Sequence, residues 1–244
     1  MAEKNIKVRL FLDASMGAAQ SLELGRDQAH YLFSVMRLQP GDRINVFNGR
    51  DGEWAARIDQ AGKRGGRLSL LEQRRAQQTP PDLWLCFAPI KKTRTDFIVE
   101  KAAELGAARI LPISTRLTNS ARIRRDRLQA HAVEAAEQCG GTYVPEVVDL
   151  QPLDHLLGNW PEDRRIMYCD ETLVGARAAL QSAQRCEKWA ILTGPEGGFS
   201  PDERAQLRAL PQVTPVSLGP RILRADTAAV AALTLWQSLL GDWR

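Results

Sequence analysis

Two glycine-containing segments in the second half of the chain combine residue types that can hold a small ligand. The first, TGPEGGFSPDE at 193–203, follows an apolar run, and its three glycines allow close approach of the main chain to a ligand. Ser200, Pro201 and Glu203 have the spacing of an N-cap, a first-turn proline and a capping box. Taken alone, this segment fits a cofactor cradle and a tight strand-to-helix turn equally well, because it lacks the spacing of the known phosphate loops.

The second segment, SLGPRILRADTAA at 217–229, also lies between an apolar run and a helical pattern. Ile222 and Leu223 stand between Arg221 and Arg224 without a helical period. Apolar side chains in a loop need a partner, which is either the protein core or a ligand. Both interpretations remain open for this segment by itself.

The elements before these segments begin with short strand-like runs. Turn signals separate VRLFL (8–12), RINVFN (43–48), EWAARI (53–58) and RLSLLE (67–72). This pattern predicts a small β-barrel or sandwich, with one helix over 26–38. The polar stretch RRAQQTPPD at 74–82 ends in two prolines and is the best candidate for a domain boundary.

The remaining residues alternate between strand and helix patterns. Strands are predicted at 83–90, 108–113, 164–170, 188–194 and 213–219. Three helices are predicted. The first runs from Thr95 to a C-cap at Gly106, the second spans about 122–138, and the closing helix has Asp226 or Thr227 near its N-cap. Continuous apolar strands alternating with helices predict an α/β domain, a parallel sheet with helices on both faces. Ligands of such sheets lie beyond the carboxyl ends of the strands.

Composition narrows the class of protein. The 244 residues carry a net charge of +4, but residues 1–127 hold 23 Lys/Arg against 14 Asp/Glu and residues 128–244 hold 10 against 15. The basic first half favours a polyanionic partner, although solvated arginine-rich faces would give the same excess. Four separated cysteines and three histidines argue against a metal site or a disulfide framework. Without a signal peptide or membrane-spanning pattern, we expect a cytoplasmic enzyme and no membrane.

Several motifs together resemble the RsmE family of SPOUT methyltransferases. The two loops match the family's GPEGG segment and its LG-x-RILR-x-[ED]-TA segment. KKTRTDFIVEKAAELGAARILPI at 91–113, AAEQCG at 135–140 and HYLFSVMRLQPGD at 30–42 are similar to three further family motifs. The likeness spans nearly the whole chain.

This resemblance implies a fold and a reaction. Residues 1–75 would be a PUA-like RNA-binding β-barrel, 76–82 a linker, and 83–244 a SPOUT domain with a trefoil knot. The family uses S-adenosylmethionine to methylate N3 of one uridine in 16S ribosomal RNA of the small ribosomal subunit, and its members are commonly homodimers.

The resemblance also implies site residues. Cofactor-binding residues would be Thr193, Gly194, Gly198, Leu218, Gly219, Ile222 and Leu223. RNA-binding residues would be Arg9, His30, Arg37, Lys91, Lys92 and Arg94. The cluster Arg122, Arg124, Arg125 and Arg127 suits phosphate binding, though a solvated helix face would look the same.

Methylation at uridine N3 requires loss of a proton before the nitrogen attacks a methyl group. Arg224 is the candidate for stabilising the resulting anion, and Glu196 or Asp226 for accepting the proton. For both carboxylates we favour structural roles: Glu196 bonding to loop N–H groups, and Asp226 capping the last helix.

The sequence departs from the family pattern at three places, and two other functions stay open. Residues 141–143 stand where the family usually has an arginine, Asp226 replaces a glutamate, and Ala225 replaces a common threonine. The closing helix is apolar on more than one side, which predicts packing against a second copy. The alternatives are a SPOUT enzyme for another RNA site, such as a tRNA ribose, or a non-catalytic RNA-binding ribosome-assembly protein.

Overall fold

The alternating runs near the N-terminus pair into one curled sheet in the computed structural model, which describes residues 8–120, 122–170, 175–183 and 186–243. The strands are β1 (Arg9–Phe11), β2 (Ser21–Leu24), β3 (Arg43–Phe47), β4 (Glu53–Gly62) and β5 (Gly65–Arg75). Their order is β1-β3-β4-β5-β2, with β1 parallel to β3 and the other pairs antiparallel. Because β1 and β2 lie at opposite edges, the predicted small barrel is a half-barrel.

One helical segment closes the core of this sheet. It begins as α1 (Arg26–Ala29) and continues as a π-helix over His30–Val35. Leu32, on this segment, is fully buried in the cluster formed by the inward residues of the strands. The predicted helix over 26–38 ends early because Arg37 adopts a left-handed backbone, with φ of 57°, which an α-helix does not allow.

A parallel sheet forms the second unit. Its strands are β6 (Leu83–Phe87), β7 (Arg109–Ser114), β8 (Glu146–Val147), β9 (Gln151–Pro152), β10 (Arg165–Cys169), β11 (Trp189–Thr193) and β12 (Val213–Val216). The order is β12-β10-β11-β6-β7-β8, β9 pairs with β7, and every pair is parallel. The parallel sheet predicted from the apolar strands is therefore confirmed.

Helices flank this sheet on both sides. They are α2 (Lys92–Glu104), α3 (Arg125–Cys139), α4 (Leu153–Gly158), α5 (Ala176–Ser182), α6 (Pro201–Ala209) and α7 (Ala225–Leu239). One face of the sheet packs on the apolar side chains of α4 and α6. Alternate strand residues such as Leu85 and Ile191 point to the opposite face, where α7 packs on β11 and contacts α2 and α5.

Two helix ends test the predicted caps. Gly106 follows the C-cap Leu105 of α2 and has φ of 76°, so it occupies the position where a glycine ends a helix. The predicted N-cap at Asp226 or Thr227 is wrong, because α7 begins at Ala225 and its N-cap, Arg224, makes no side-chain cap hydrogen bond.

The chain divides into two units by contacts: residues 1–79 with 136–144, and residues 80–135 with 145–244. No helix in the described part of the chain has both the length and the apolar character needed to cross a membrane.

Candidate functional site

Three parallel strands end beside one cavity of about 340 Å³ in the second unit. Its wall consists of the last residue of β10 and the next one, Cys169 and Asp170, the last residue of β11 and the loop after it, 193–199, residues 217–219 and 221–224 after β12, and Ala225 and Ala228 of α7. The cavity therefore lies at the carboxyl edge, where parallel sheets bind ligands. All seven residues predicted to bind a cofactor lie in this wall, and their role in binding stays a prediction.

Main-chain geometry shapes the glycine-rich loop over 193–199. The Gly198 N–H donates to the Pro195 carbonyl at 2.9 Å, and Gly198 has φ of 68°, a left-handed conformation that favours glycine. A Cβ added to Gly194 would lie 2.8 Å from the buried ring of Phe199. Larger residues at either glycine would thus change the wall of the cavity.

The end of this loop is held by the predicted capping box. The Ser200 side chain accepts from the Glu203 N–H at 3.3 Å, and the Ser200 N–H donates to the Glu203 carboxylate at 2.8 Å. Pro201 is the first residue of α6, so the predicted N-cap, proline and capping box are confirmed. The other Glu203 oxygen accepts from the Arg116 N–H at 2.8 Å, which fixes the loop after β7 as well.

The second loop, 217–224, presents its apolar residues to the cavity rather than to the core. The Ser217 hydroxyl donates to the Gly219 carbonyl at 3.1 Å, and Gly219 has φ of 132°. Leu218 and Leu223 are half-buried in the cavity wall. Ile222 is 87% exposed, so core packing does not account for this residue.

Cys169 and Asp170 are wall residues that were not predicted. Asp170 directly follows β10, and its buried carboxylate accepts from the Arg208 Nε at 3.1 Å. Burial raises the pKa of the Cys169 thiol to about 12, so this thiol is protonated at neutral pH. The signal that could have found both residues is their position at the end of a strand predicted to be parallel, next to β11.

The three catalytic candidates have different surroundings. Glu196 and Arg224 are exposed in the cavity wall, and their side chains have no hydrogen-bond or ion-pair partner among the described residues. Asp226 is not in the wall: one carboxylate oxygen accepts from the Thr227 N–H at 2.9 Å, and the other lies 3.7 Å from the Arg94 Nε. Among the residues that the structure describes, no loop N–H donates to Glu196, so the structural role favoured for it is not seen.

The residues predicted to bind RNA lie in both units. In the second, Lys91 is the N-cap of α2, Lys92 begins that helix, and Arg94 in its first turn is the partner of Asp226. In the first, His30 and Arg37 are exposed at the two ends of the π-helical segment. Their contacts with RNA stay predictions.

Arg9 has a structural environment within the first unit. Its guanidinium donates to Glu53 at 2.6 Å and lies 4.6 Å from the centroid of the Phe47 ring. It also donates to the carbonyls of Ala136, Glu137 and Gly141, at 2.7, 2.8 and 2.8 Å. Every guanidinium nitrogen is thereby occupied, and a contact of Arg9 with RNA stays a prediction.

The chain is similar to known RNA methyltransferases. A model of an RNA methyltransferase domain matches residues 77–237, and a model of an RNA methyltransferase PUA domain matches residues 24–71. Ribosomal RNA small subunit methyltransferase E of Rickettsia conorii is 31% identical over 92% of this chain and 93% of its own length. The chain belongs to the ribosomal RNA small subunit methyltransferase E family. The RsmE resemblance predicted from the motifs is confirmed.

Solved structures extend this family assignment to the fold. A ribosomal RNA small subunit methyltransferase E from Neisseria gonorrhoeae, bound to S-adenosyl methionine, is 26% identical, has a TM-score of 0.88 and matches 97% of this chain and 99% of its own. A Legionella pneumophila protein in complex with the same cofactor is 27% identical, with a TM-score of 0.87 and coverage of 96% and 98%. A PUA-like half-barrel joined to a parallel-sheet domain is thus confirmed, whereas the trefoil knot stays a prediction.

Proposed function

We propose that this chain transfers the methyl group of S-adenosylmethionine to N3 of one uridine in 16S ribosomal RNA of the small ribosomal subunit. The observation that carries the proposal is that both family loops line one cavity at the carboxyl ends of β10, β11 and β12. We assign RNA recognition to the PUA-like region within 1–75 and catalysis to 83–244, with 76–82 as the linker. The substrate implies a cytoplasmic location.

The cavity suits a cofactor that combines adenosine with a positively charged sulfur. Main-chain groups of Thr193 and Gly194 can bond to the adenine edge, and Leu218 and Leu223 can cover the ring. The Asp170 carboxylate in the same wall is already paired with Arg208, whereas the exposed carboxylate of Glu196 can favour a cation. When bound, S-adenosylmethionine supplies an electrophilic methyl carbon. Among the described residues no His, Cys, Asp and Glu side chains group in a way that could hold a metal ion.

The proton on uridine N3 has to leave before N3 bonds to the methyl carbon. Glu196 is the better acceptor, because its carboxylate is in the wall and lacks a partner in the described ranges. Asp226 is the weaker candidate, since its oxygens already contact Thr227 and Arg94. The Arg224 guanidinium, exposed in the same wall, can stabilise negative charge on the uracil oxygens.

The reaction is tested with the purified chain, tritiated S-adenosylmethionine and small subunits from a strain that lacks the corresponding gene. We expect the label in 16S ribosomal RNA, and mass mapping should locate it on the base at N3 of a single uridine. Label on a ribose, or on transfer RNA offered in the same reaction, contradicts the proposal. Cofactor binding without transfer to any RNA favours the non-catalytic alternative.

The proton acceptor is tested by Glu196→Gln beside Asp226→Asn. General-base catalysis contributes about 10²- to 10⁴-fold, so E196Q should lower kcat by at least about 100-fold, while D226N lowers it far less. Calorimetry should show S-adenosylmethionine affinity within a few-fold of the parent chain for both variants. The opposite order of effects would assign the acceptor role to Asp226.

We also propose that the chain acts as a homodimer. On α7, Val230, Leu235 and Leu239 are only half-buried, and Ile222 in the cavity loop is 87% exposed. Apolar residues left open in this way fit a contact with a second copy. Light scattering at micromolar concentration should give the mass of two chains, and Leu235→Glu should shift it toward one. A single-chain mass for the parent protein contradicts the dimer.

A further inference from the structure

A second cavity, of about 450 Å³, lies in the same unit as the cofactor cavity and shares none of its wall residues. We call it the basic cavity. Its wall comprises residues from the start of α2 and from the segment leading into α3: Ile90, Lys92, Thr95, Asp96, Ser120, Ile123, Leu128 and the three arginines Arg122, Arg124 and Arg127. None of the proposed cofactor-binding or catalytic residues belongs to it, whereas Lys92 is one of the predicted RNA-binding residues.

The charges in this wall are mostly uncompensated. Arg127 forms an ion pair with Asp96, the one carboxylate of the wall. Lys92, Arg122 and Arg124 are exposed, and their side chains have no partner in the part of the chain that the structure describes. Other cations of this unit, such as Lys101 and Arg109, pair with neighbouring carboxylates. The basic cavity therefore concentrates three unpaired positive charges around one concave surface.

Two chain segments connect the basic cavity to the cofactor cavity. Thr95 lies in the basic cavity, whereas Arg94, its neighbour on α2, reaches Asp226 beside the cofactor loop. The second segment follows β7 and contains Leu117 and Ser120. A Cβ added to Gly197 of the glycine-rich loop would lie 3.3 Å from Leu117, and Ser120 lies in the wall of the basic cavity. A polymer whose target base enters the first cavity thus has the second within reach.

We propose that the basic cavity binds the phosphodiester backbone of the RNA strand on one side of the target uridine. Arginine matches the geometry of phosphate oxygens, and concave sites of one charge concentrate a polyanion. Both α2 and α3 begin at this cavity, and the N-terminal ends of helices favour anions. The inference rests on the proposed function, because it assigns the same RNA substrate to a further surface.

The test removes two unpaired charges with Arg122→Gln and Arg124→Gln together. The control, Arg177→Gln with Lys188→Gln, removes two exposed charges from the same unit outside both cavities, of which Lys188 is paired with Asp163. For each variant, binding to small subunits is measured over a range of salt concentrations, together with KM and kcat for methyl transfer and cofactor affinity by calorimetry.

We expect the R122Q/R124Q variant to raise KM for the RNA substrate about tenfold, because it loses two phosphate contacts. Each lost contact should also make the fall of log affinity with log salt concentration shallower by about one. The variant's kcat and cofactor affinity should stay within about twofold of the parent chain, because neither arginine lies in the cofactor cavity. The control should keep both the parent KM and the parent salt slope. An equal loss in both variants, or an unchanged slope in R122Q/R124Q, overturns the inference.

The failure of this inference and that of the proposed function give different results. If the parent chain transfers methyl groups to the small subunit and R122Q/R124Q binds RNA normally, only the basic cavity assignment is wrong. If the parent chain binds RNA through these arginines but methylates no uridine, the proposed reaction is wrong and the binding surface stands.

Discussion

The two edges of the parallel sheet in the second unit differ in how their residues are held. At the amino edge, Arg164 precedes β10 and donates to the carbonyls of Asp82, before β6, and Trp189, in β11, each at 3.0 Å. The same guanidinium bonds both Asp82 carboxylate oxygens at 2.8 Å and lies 3.6 Å from the centroid of the Trp84 ring. One buried side chain thereby joins three adjacent strands.

The carboxyl edge has the opposite character. Its loops surround a cavity, two of its charged side chains, Glu196 and Arg224, lack partners within the described ranges, and Ile222 is exposed to solvent. Polar groups left unpaired at a loop edge add little to the free energy of folding but remain available to a ligand. The comparison indicates that the buried Arg164 stabilises the edge opposite the cavity, whereas the unpaired side chains lie at the cavity.

The largest effect should follow from breaking the amino edge with Arg164→Ala. Removing this buried guanidinium should lower the free energy of unfolding by about 3 kcal/mol. The Asp82 and Trp189 carbonyls lose a charged hydrogen-bond donor, and the partly buried Asp82 carboxylate loses its ion-pair partner. The expected fall in Tm is about 6–12 °C for a chain of this size. Differential scanning calorimetry measures this fall.

Arg177→Ala is the control for this prediction, because Arg177 is exposed on α5 and should change stability by less than about 0.5 kcal/mol. Below the unfolding transition, R164A should bind S-adenosylmethionine with the affinity of the parent chain. A variant that loses cofactor affinity but keeps its Tm would show that the two edges are not separate in function.

The contrast between the edges also explains what could be predicted from the sequence. The capping box was predictable because Ser200 and Glu203 are three residues apart, so local spacing contains the whole interaction. Arg164 was not, because its partners Asp82 and Trp189 are 82 and 25 residues away in the sequence. Only the paired strands bring these residues together.

The remaining differences have similar causes. Strands β8 and β9 contain two residues each, too few to show any alternation of apolar and polar residues. The predicted N-cap of α7 is two or three residues late because Asp226 has the residue type of an N-cap, whereas the structure uses Arg224 there without a side-chain bond. The two loops were found because both the glycine spacing and the family motifs lie in continuous sequence.

The next effect concerns the carboxyl edge and compares Gly194→Ala with Gly197→Ala. A Cβ on Gly194 meets the Phe199 ring at 2.8 Å, and that ring packs edge-on against buried Tyr168 with centroids 5.2 Å apart. Overpacking of this kind costs about 1–3 kcal/mol, so G194A should bind S-adenosylmethionine about 10- to 100-fold more weakly in calorimetry.

G197A is the matched control. A Cβ there would lie 3.3 Å from Leu117, which is 42% exposed and has room to move, so affinity should fall less than about threefold. Equal losses in the two variants would mean that the loop responds to any added methyl group, and that the Phe199 contact does not shape the cavity.

A smaller effect is expected from Ser200→Ala, which removes the N-cap of α6 just beyond the cavity. Loss of a cap costs about 1 kcal/mol, so the Tm should fall by about 2–4 °C. Ser238→Ala, which removes an exposed bond within α7, is the control and should leave the Tm unchanged within about 1 °C. A loss of methyl transfer by S200A larger than its loss of stability would show that the cap also orients the glycine loop.

The smallest effect concerns thiol reactivity at the carboxyl edge. Burial raises the pKa values of Cys169, in the cavity wall, and Cys86, within β6, to about 12, so the reactive thiolate is about one part in 10⁴ at about pH 8. Cys139 is exposed and should react with iodoacetamide first, the half-buried Cys169 should react slowly, and the buried Cys86 should react only after urea unfolds the chain. Mass spectrometry of labelled peptides measures the order. Rapid labelling of Cys169 in the folded chain, with Cys86 still protected, would mean that the cavity wall opens to solvent while the strands stay paired. That result would sharpen the difference between the carboxyl edge and the sheet behind it.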